Sequence, residues 1–121
     1  ADRAMRGAGG GSIVNVTLSP HHGLTGMVHS SAARAATEGL TRELAAELGG
    51  DGIAVVAAAA GHFDTESLRK YPEVVWRGAA RSVPLQRLGT MQEFGWLVAL
   101  LAGPLGRALS GAAGTHIVGD G

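Results

Sequence analysis

Hydroxyl and imidazole side chains gather in one short stretch of this sequence, where Thr17, Ser19, His21, His22, His29, Ser30 and Ser31 follow one another closely. Thr17 and Ser19 stand at the end of a β-branched run. In α/β sheets the carboxyl ends of strands border the ligand crevice, so both are candidate ligand-facing hydroxyls, with ordinary loop hydroxyls as the alternative. His21, His22 and His29 raise the question of a metal. The chain has no cysteine, the three show no His-x-x-x-His spacing, and adjacent imidazoles do not easily share one ion, so no metal site is expected. Ser30 reads as a helix N-cap, a position that serine favours. Arg34, Glu38 and Arg42 are four apart, a spacing that supports helical ion pairs of about 0.2–0.5 kcal/mol each.

These residues need a frame, and hydrophobic patterning supplies one. Residues 11–17 (GSIVNVT) put β-branched side chains after a glycine run and read as a buried strand. A loop rich in Gly, Pro and His follows over 18–26. Residues 27–48 read as one helix, with Ala33, Ala36 or Thr37, Leu40, Leu44 and Leu48 at helical spacing and Gly49-Gly50 ending it. The face formed by Ala32, Ala35 or Ala36, and Gly39 is expected to pack closely against another element. Residues 53–59 (IAVVAAA) form a continuous apolar run, as in parallel strands covered on both faces. Residues 64–82 read as two short helices separated by Pro72. Thr90 and Glu93 have the spacing of a capping box, and Phe94, Leu97, Val98 and Leu101 make an apolar stripe behind it. Gly103-Pro104 stops that helix, and residues 114–118 (GTHIV) make a last strand. Residues 1–10 read as the tail of a helix. Strands alternating with helices imply βαβ units and a parallel sheet.

Composition narrows the function classes. The 121 residues fit one small domain with an alanine-rich core, since the apolar fraction is 45% but aromatics are only 4%. Ten basic residues balance ten acidic ones, which gives no electrostatic case for nucleic acid or an anionic membrane. The absence of cysteine excludes disulfides and thiolate catalysis. No apolar stretch approaches the ~20 residues of a membrane span, and ADRAMRG lacks a secretory signal's apolar segment. A soluble, cytoplasmic protein is expected.

Five collinear strings carry a family resemblance: GGGSIVNV, AARAATEGLTRELAAELGGDGIAV, AGHFDT, VPLQRLGTMQE and SGAAGTHIVGDG. Together they resemble the short-chain dehydrogenase/reductases over residues 9–121. The string VHSSAARA is similar to a divergent branch that contains peroxisomal trans-2-enoyl-CoA reductase, 2,4-dienoyl-CoA reductases and citronellol-type dehydrogenases. The resemblance implies a Rossmann-like, doubly wound parallel α/β sheet, of which residues 1–121 would be the C-terminal half only, with three strands and crossover helices. It implies NADP or NAD as cofactor, a small-molecule substrate with acyl-CoA among the candidates, and a homo-oligomer built through the 27–48 helix.

The resemblance also assigns roles. The family's catalytic tyrosine falls on Ser30 and its lysine on Arg34, a register fixed by Glu38-Gly39-Leu40-Thr41. A serine hydroxyl is a far weaker acid than a phenol, and an arginine stays protonated and relays no proton. Arg34 can still hold a ribose or phosphate. The family's catalytic serine falls on Leu18, with Ser19 as the nearest substitute. The family's Pro-Gly-x-x-x-Thr cofactor turn corresponds to residues 60–65 (AGHFDT), keeping Gly61 and Thr65 and losing the proline. His62 lines the pocket or stands exposed in the loop. Tyr71, the single tyrosine, lies where the family has its substrate loop and is a candidate substrate contact. The family's glycine-rich dinucleotide turn is not found in this sequence. The glycines at 7 and 9–11 precede a strand, whereas that turn follows one and opens a helix. Two functions compete. One is an NAD(P)-dependent oxidoreductase unit passing hydride to an enoyl- or dienoyl-thioester or a related carbonyl or alcohol substrate. The other is a truncated, non-catalytic fragment or pseudoenzyme acting only through oligomerisation.

Overall fold

The computed structural model describes residues 1–18, 26–113 and 116–119. Its elements run α1 (Asp2–Gly7), β1 (Gly11–Leu18), α2 (Val28–Leu48), a 3-10 turn (Gly49–Asp51), β2 (Ile53–Ala60), α3 (Glu66–Arg69), α4 (Glu73–Ser82), α5 (Met91–Ala102), α6 (Pro104–Ala113) and β3 (His116–Gly119). The strands form one parallel sheet in the order β1-β2-β3. β1 pairs with β2 from Gly11 opposite Ile53 to Leu18 opposite Ala60. β3 pairs with the second half of β2, from Ala57 opposite His116 to Ala60 opposite Gly119. The parallel α/β sheet expected from the sequence is the architecture found.

β2 lies in the middle, and side chains alternate between its two faces. Ile53 and Val55 pack with Leu48, Leu44 and Ala45 of α2, and with Met5 and Ile13. Val56 and Ala58 face the other way, onto Leu101, Leu97 and Phe94 of α5 and Val14 of β1. Burying a side chain such as Val55, Val56 or Leu101 completely, as here, contributes about 1.5–3 kcal/mol. The connection from α1 into β1 is tight. Gly10 has φ +134, and a Cβ there would stand 2.6 Å from the Gly52 carbonyl oxygen, so only glycine fits.

Helix α2 departs from the sequence reading in two respects. Its N-cap is Met27, whose carbonyl accepts from the Ser31 amide at 2.9 Å; Ser30 therefore lies inside the first turn and is not the cap. The face turned to the sheet also differs. Thr41 and Leu48 are buried and Thr37, Glu38, Leu44 and Ala45 half-buried, while Ala32, Ala33, Ala35, Ala36 and Leu40 are exposed. Among the described residues, the alanines of the small-residue face expected to pack closely are exposed. A Cβ on Gly39 would find only the tip of Arg42, at 3.9 Å. The physical reason lies in β1, whose α2-facing side offers Asn15 and Thr17, so the helix docks there through polar groups.

The C-terminal side matches more closely. Pro72 separates α3 from α4, and Thr90 with Glu93 completes a capping box at the start of α5. Helix α6 was not expected. Gly103 ends α5, but Pro104 opens a new helix, because a proline at the first helical position loses no hydrogen bond and has its φ already set. The last strand begins at His116, and the two expected strand residues before it lie outside the described residues. Among the described residues no helix is long and apolar enough to cross a membrane.

Two glycines should respond oppositely to alanine. At Gly106 a Cβ would stand 2.0 Å from the Leu101 carbonyl oxygen, a backbone atom that cannot yield cheaply, so Gly106→Ala should destabilise by about 1–3 kcal/mol. Gly39→Ala in open helical surface should stabilise by about 0.5–1 kcal/mol. Urea midpoints of the two variants check both signs; equal shifts would contradict the packing described.

Candidate functional site

A hollow of about 320 Å³ opens at the carboxyl ends of β1 and β2. Val16 and Ala60 supply its strand side, Gly61, His62, Phe63 and Thr65 the turn that follows β2, and Leu68, Met91 and Phe94 its helical walls. The lining is mostly apolar, with His62 and Thr65 as its hydrogen-bonding side chains. Val16 is 55% exposed although it sits in a strand, since no other described residue closes the hollow over it.

The turn is held from the far side by the connection between α4 and α5. The Gly89 amide donates to the His62 carbonyl at 2.9 Å, and the Asp64 amide donates to the Gly89 carbonyl at 2.8 Å. This makes a short parallel bridge between Phe63 and Gly89. The Phe63 ring lies directly on Gly89, where a Cβ would be 2.5 Å from a ring carbon, and its edge meets the Phe94 ring at 5.1 Å between centroids. Gly89 is thus required by proximity. The connection is itself fixed at Glu93. Arg87 Nη1 and Nη2 donate to its carboxylate at 2.9 and 2.7 Å, and the Thr90 amide donates at 2.7 Å. The Arg87 hydrogen bonds first, then the Thr90 amide, hold the Glu93 carboxyl down to about 2.

Thr65 begins α3. Its Oγ1 accepts from the Leu68 amide at 3.1 Å, which leaves its own proton free to donate. Asp64 accepts from Arg69 Nε and Nη2, both at 2.5 Å, and that hydrogen bonding holds its carboxyl below the usual carboxylate value.

A second polar group lies on the α2 side of the sheet. Asn15 Nδ2 donates to Thr41 Oγ1 at 2.9 Å, Thr41 Oγ1 donates to the Thr37 carbonyl at 2.7 Å, and buried Thr17 donates to Glu38 Oε1 at 3.1 Å. Arg34 turns back along its helix and donates through Nη1 to the Ser30 hydroxyl, with a looser contact to the Ser30 carbonyl at 3.4 Å. The spacing-based pair between Arg34 and Glu38 is not among the ion pairs of the described residues. Glu38 is engaged by Thr17 instead.

The candidate residues therefore fall into separate groups. Gly61, His62 and Thr65 meet in the hollow. Ser30 and Arg34 are joined to each other on α2 and do not line it. Tyr71 is 60% exposed at the corner between α3 and α4, outside the lining. Ser19, His21 and His22 lie outside the described residues. Sequence reasoning missed Phe63, Phe94 and Gly89 as parts of the site. The one local signal was the glycine in VPLQRLGTMQE, which no spacing rule connects to Phe63.

Acid should loosen the turn. A carboxyl depressed from its ordinary 4.5 to about 2 contributes stability that is present above pH 4.5 and lost as pH falls towards 2. Glu93→Gln should flatten the acid limb of a melting-temperature profile in that window, with little change at pH 7 beyond the lost Arg87 contact. An unchanged acid limb would mean that Glu93 does not hold the connection.

Known proteins share this arrangement. The family described as enoyl-(acyl carrier protein) reductase matches residues 1–121. The 3-oxoacyl-(acyl-carrier-protein) reductase of Pseudomonas aeruginosa is 36% identical over 111 residues, covering 91% of this chain and 45% of its own length. The peroxisomal 2,4-dienoyl-CoA reductase of Danio rerio is 38% identical over 116 residues, covering 93% of this chain and 38% of its own. Among solved structures, a short-chain dehydrogenase/reductase family protein superposes with a TM-score of 0.84 at 33% identity, over 99% of this chain and 48% of that one. A blue fluorescent protein from a metagenomic library, in complex with NADPH, superposes with a TM-score of 0.81 at 28% identity, over 91% and 44%. The chain thus spans less than half the length of the relatives it matches. It belongs to the short-chain dehydrogenase/reductase family.

Proposed function

We propose that these residues form the nicotinamide- and substrate-facing part of an NAD(P)-dependent oxidoreductase, acting on an enoyl- or dienoyl-thioester or a related carbonyl or alcohol substrate. The observation that carries this reading is the braced turn beside an apolar hollow at the carboxyl ends of β1 and β2, where α/β folds bind ligands. Gly61 and Thr65 suit the nicotinamide end of NADP or NAD. The Thr65 hydroxyl accepts from the Leu68 amide and so keeps a proton for a phosphate oxygen. Arg34 supplies a permanent positive charge for a ribose or phosphate. The cofactor, when bound, supplies or accepts the hydride.

The chain's own residues then orient the substrate and hold a proton. His62 borders the hollow and can donate to a substrate oxygen, while Phe63, Phe94 and Leu68 exclude water from an acyl chain. Ser30 accepts from Arg34, so its hydroxyl proton points elsewhere and is available to an oxygen. Ser19 remains a proton-donor candidate and Tyr71 a candidate outer substrate contact. An acyl-CoA substrate has support from the relative named for 2,4-dienoyl-CoA. Assembly with a second copy through α2 is part of the same reading, supported by the exposed Ala32, Ala36 and Leu40. A cytoplasmic setting is proposed, with the peroxisomal relatives marking the competing one.

One observation favours the second reading, a pseudoenzyme acting only by oligomerising. Serine and arginine stand where the family places tyrosine and lysine, the guanidinium engages the serine directly, and α2 carries no phenol.

This sequence holds no glycine turn opening a helix to receive a pyrophosphate, so calorimetry on the 121-residue chain should show no micromolar affinity for NADPH or NADH. At millimolar concentration, reduced nicotinamide mononucleotide should shift the amide resonances of Gly61 and Thr65. Micromolar dinucleotide binding would refute the division of labour, and shifts confined to other residues would refute the assignment of the turn.

A further inference from the structure

Among the side chains that line the hollow, His62 is the one that can carry a charge. The surrounding elements bring no other. β1 contributes Val16, β2 Ala60, α3 Leu68, and α5 Met91 and Phe94. The charged residues of the turn and its brace are engaged elsewhere, Asp64 by Arg69 and Glu93 by Arg87. Glu66, beside Thr65 on α3, is exposed and outside the lining. The His62 imidazole is half-buried and makes no hydrogen bond or ion pair with another described residue. The polar side chains on the α2 side differ in this respect, since Asn15, Thr17, Glu38 and Thr41 satisfy one another.

Its backbone is nevertheless firmly placed. The Gly89 amide donates to the His62 carbonyl at 2.9 Å, and the next residue, Phe63, lies against Gly89. An unspent imidazole on a braced backbone beside an apolar surface suits a ligand with a single oxygen at the end of an apolar chain. Histidine is also the side chain that changes charge between about pH 5 and 8, which makes it an effective acid at neutral pH. We propose that His62 is the acid of this site: its imidazolium donates to the carbonyl oxygen of a substrate whose apolar chain lies in the hollow. The proposal rests on the reading of the hollow as an acyl site. When hydride from the reduced nicotinamide adds to the carbonyl carbon, the π electron pair moves to the oxygen. The imidazolium N–H bond breaks as the O–H bond forms, and the neutral imidazole regains its proton from water. The site therefore favours an oxygen that carries or develops negative charge.

Hexanoate and hexanamide test this with no nucleotide present, since they share an apolar chain and differ in the charge of the head. Hexanoate stays ionised above about pH 5.5, because carboxyls titrate near pH 4. Amide resonances of Gly61, Phe63 and Thr65 should report hexanoate binding that weakens about tenfold from about pH 5.5 to about pH 8, and hexanamide binding that does not change. In His62→Gln, which keeps a donor but cannot be charged, the pH dependence for hexanoate should vanish. His29→Gln, at the exposed start of α2, should retain it. His62→Asn and the comparison of the two ligands in the unmutated chain serve if His62→Gln fails to fold. Hexanoate binding with no pH dependence, or with a dependence that survives in His62→Gln, would overturn the assignment of His62 and leave the acyl reading standing. Lining resonances that neither ligand moves would refute the acyl reading and the proposal with it.

Discussion

Everything in this chain is arranged around a strand that must be covered on both faces. β2 is flanked by β1 and β3, and its residues from Val55 to Ala59 are almost completely inaccessible. Its backbone is satisfied by two neighbours, and its side chains are satisfied only if α2 covers one face and α5 the other. Four successive alanines, Ala57, Ala58, Ala59 and Ala60, leave little bulk near the carboxyl end. The aliphatic bulk lies towards the start, in Ile53, Val55 and Val56, and the hollow opens at the opposite end, beyond Ala60. The position of the site thus follows from where β2 stops being large.

The two covering helices dock by different physics, and this explains what the sequence did and did not disclose. Helix α5 docks through Phe94, Leu97 and Leu101, which stand on one side of a helix whose start is marked by Thr90 and Glu93. Both signals are local, and both were legible. Helix α2 meets β1 through Thr41, which accepts from Asn15 and donates to the Thr37 carbonyl, and through Glu38, which accepts from Thr17. A buried polar contact is tolerated when each group is satisfied, and here no described buried side-chain nitrogen or oxygen lacks a partner. Hydrophobic periodicity sees such a face only in part: of the stripe Ala33, Ala36 or Thr37, Leu40, Leu44 and Leu48, the last two pack into the core, whereas Ala33, Ala36 and Leu40 are exposed. The length of α2 was readable from the sequence; its orientation depended on two side chains in a different element.

The turn after β2 shows the same limit at the site. Gly61 and Thr65 could be placed from a family string, and His62 followed from its position between them. What fixes their geometry is remote: Phe63 pairs with Gly89, and Gly89 is held by a connection anchored at Glu93. None of this has a sequence period. The breaks at Pro72 and at Gly103-Pro104 were visible because proline acts on its own backbone, whereas the new helix opened by Pro104 was not, because the same residue can end one helix and open the next.

The two α2 residues assigned by resemblance also carry a physical consequence. Arg34 engages an acceptor one turn back, the Ser30 hydroxyl, whereas a tyrosine in place of Ser30 would hold its hydroxyl well beyond the helix. That contact holds the guanidinium on α2, and neither side chain is in the lining shared by Gly61, His62 and Thr65. The described residues thus combine a turn braced at Gly89 with two α2 side chains joined to each other away from it. Proton donation depends on reach as well as acidity, and on the reading proposed above a serine followed by an arginine offers less of both than a tyrosine followed by a lysine, while the bracing at Gly89 is untouched.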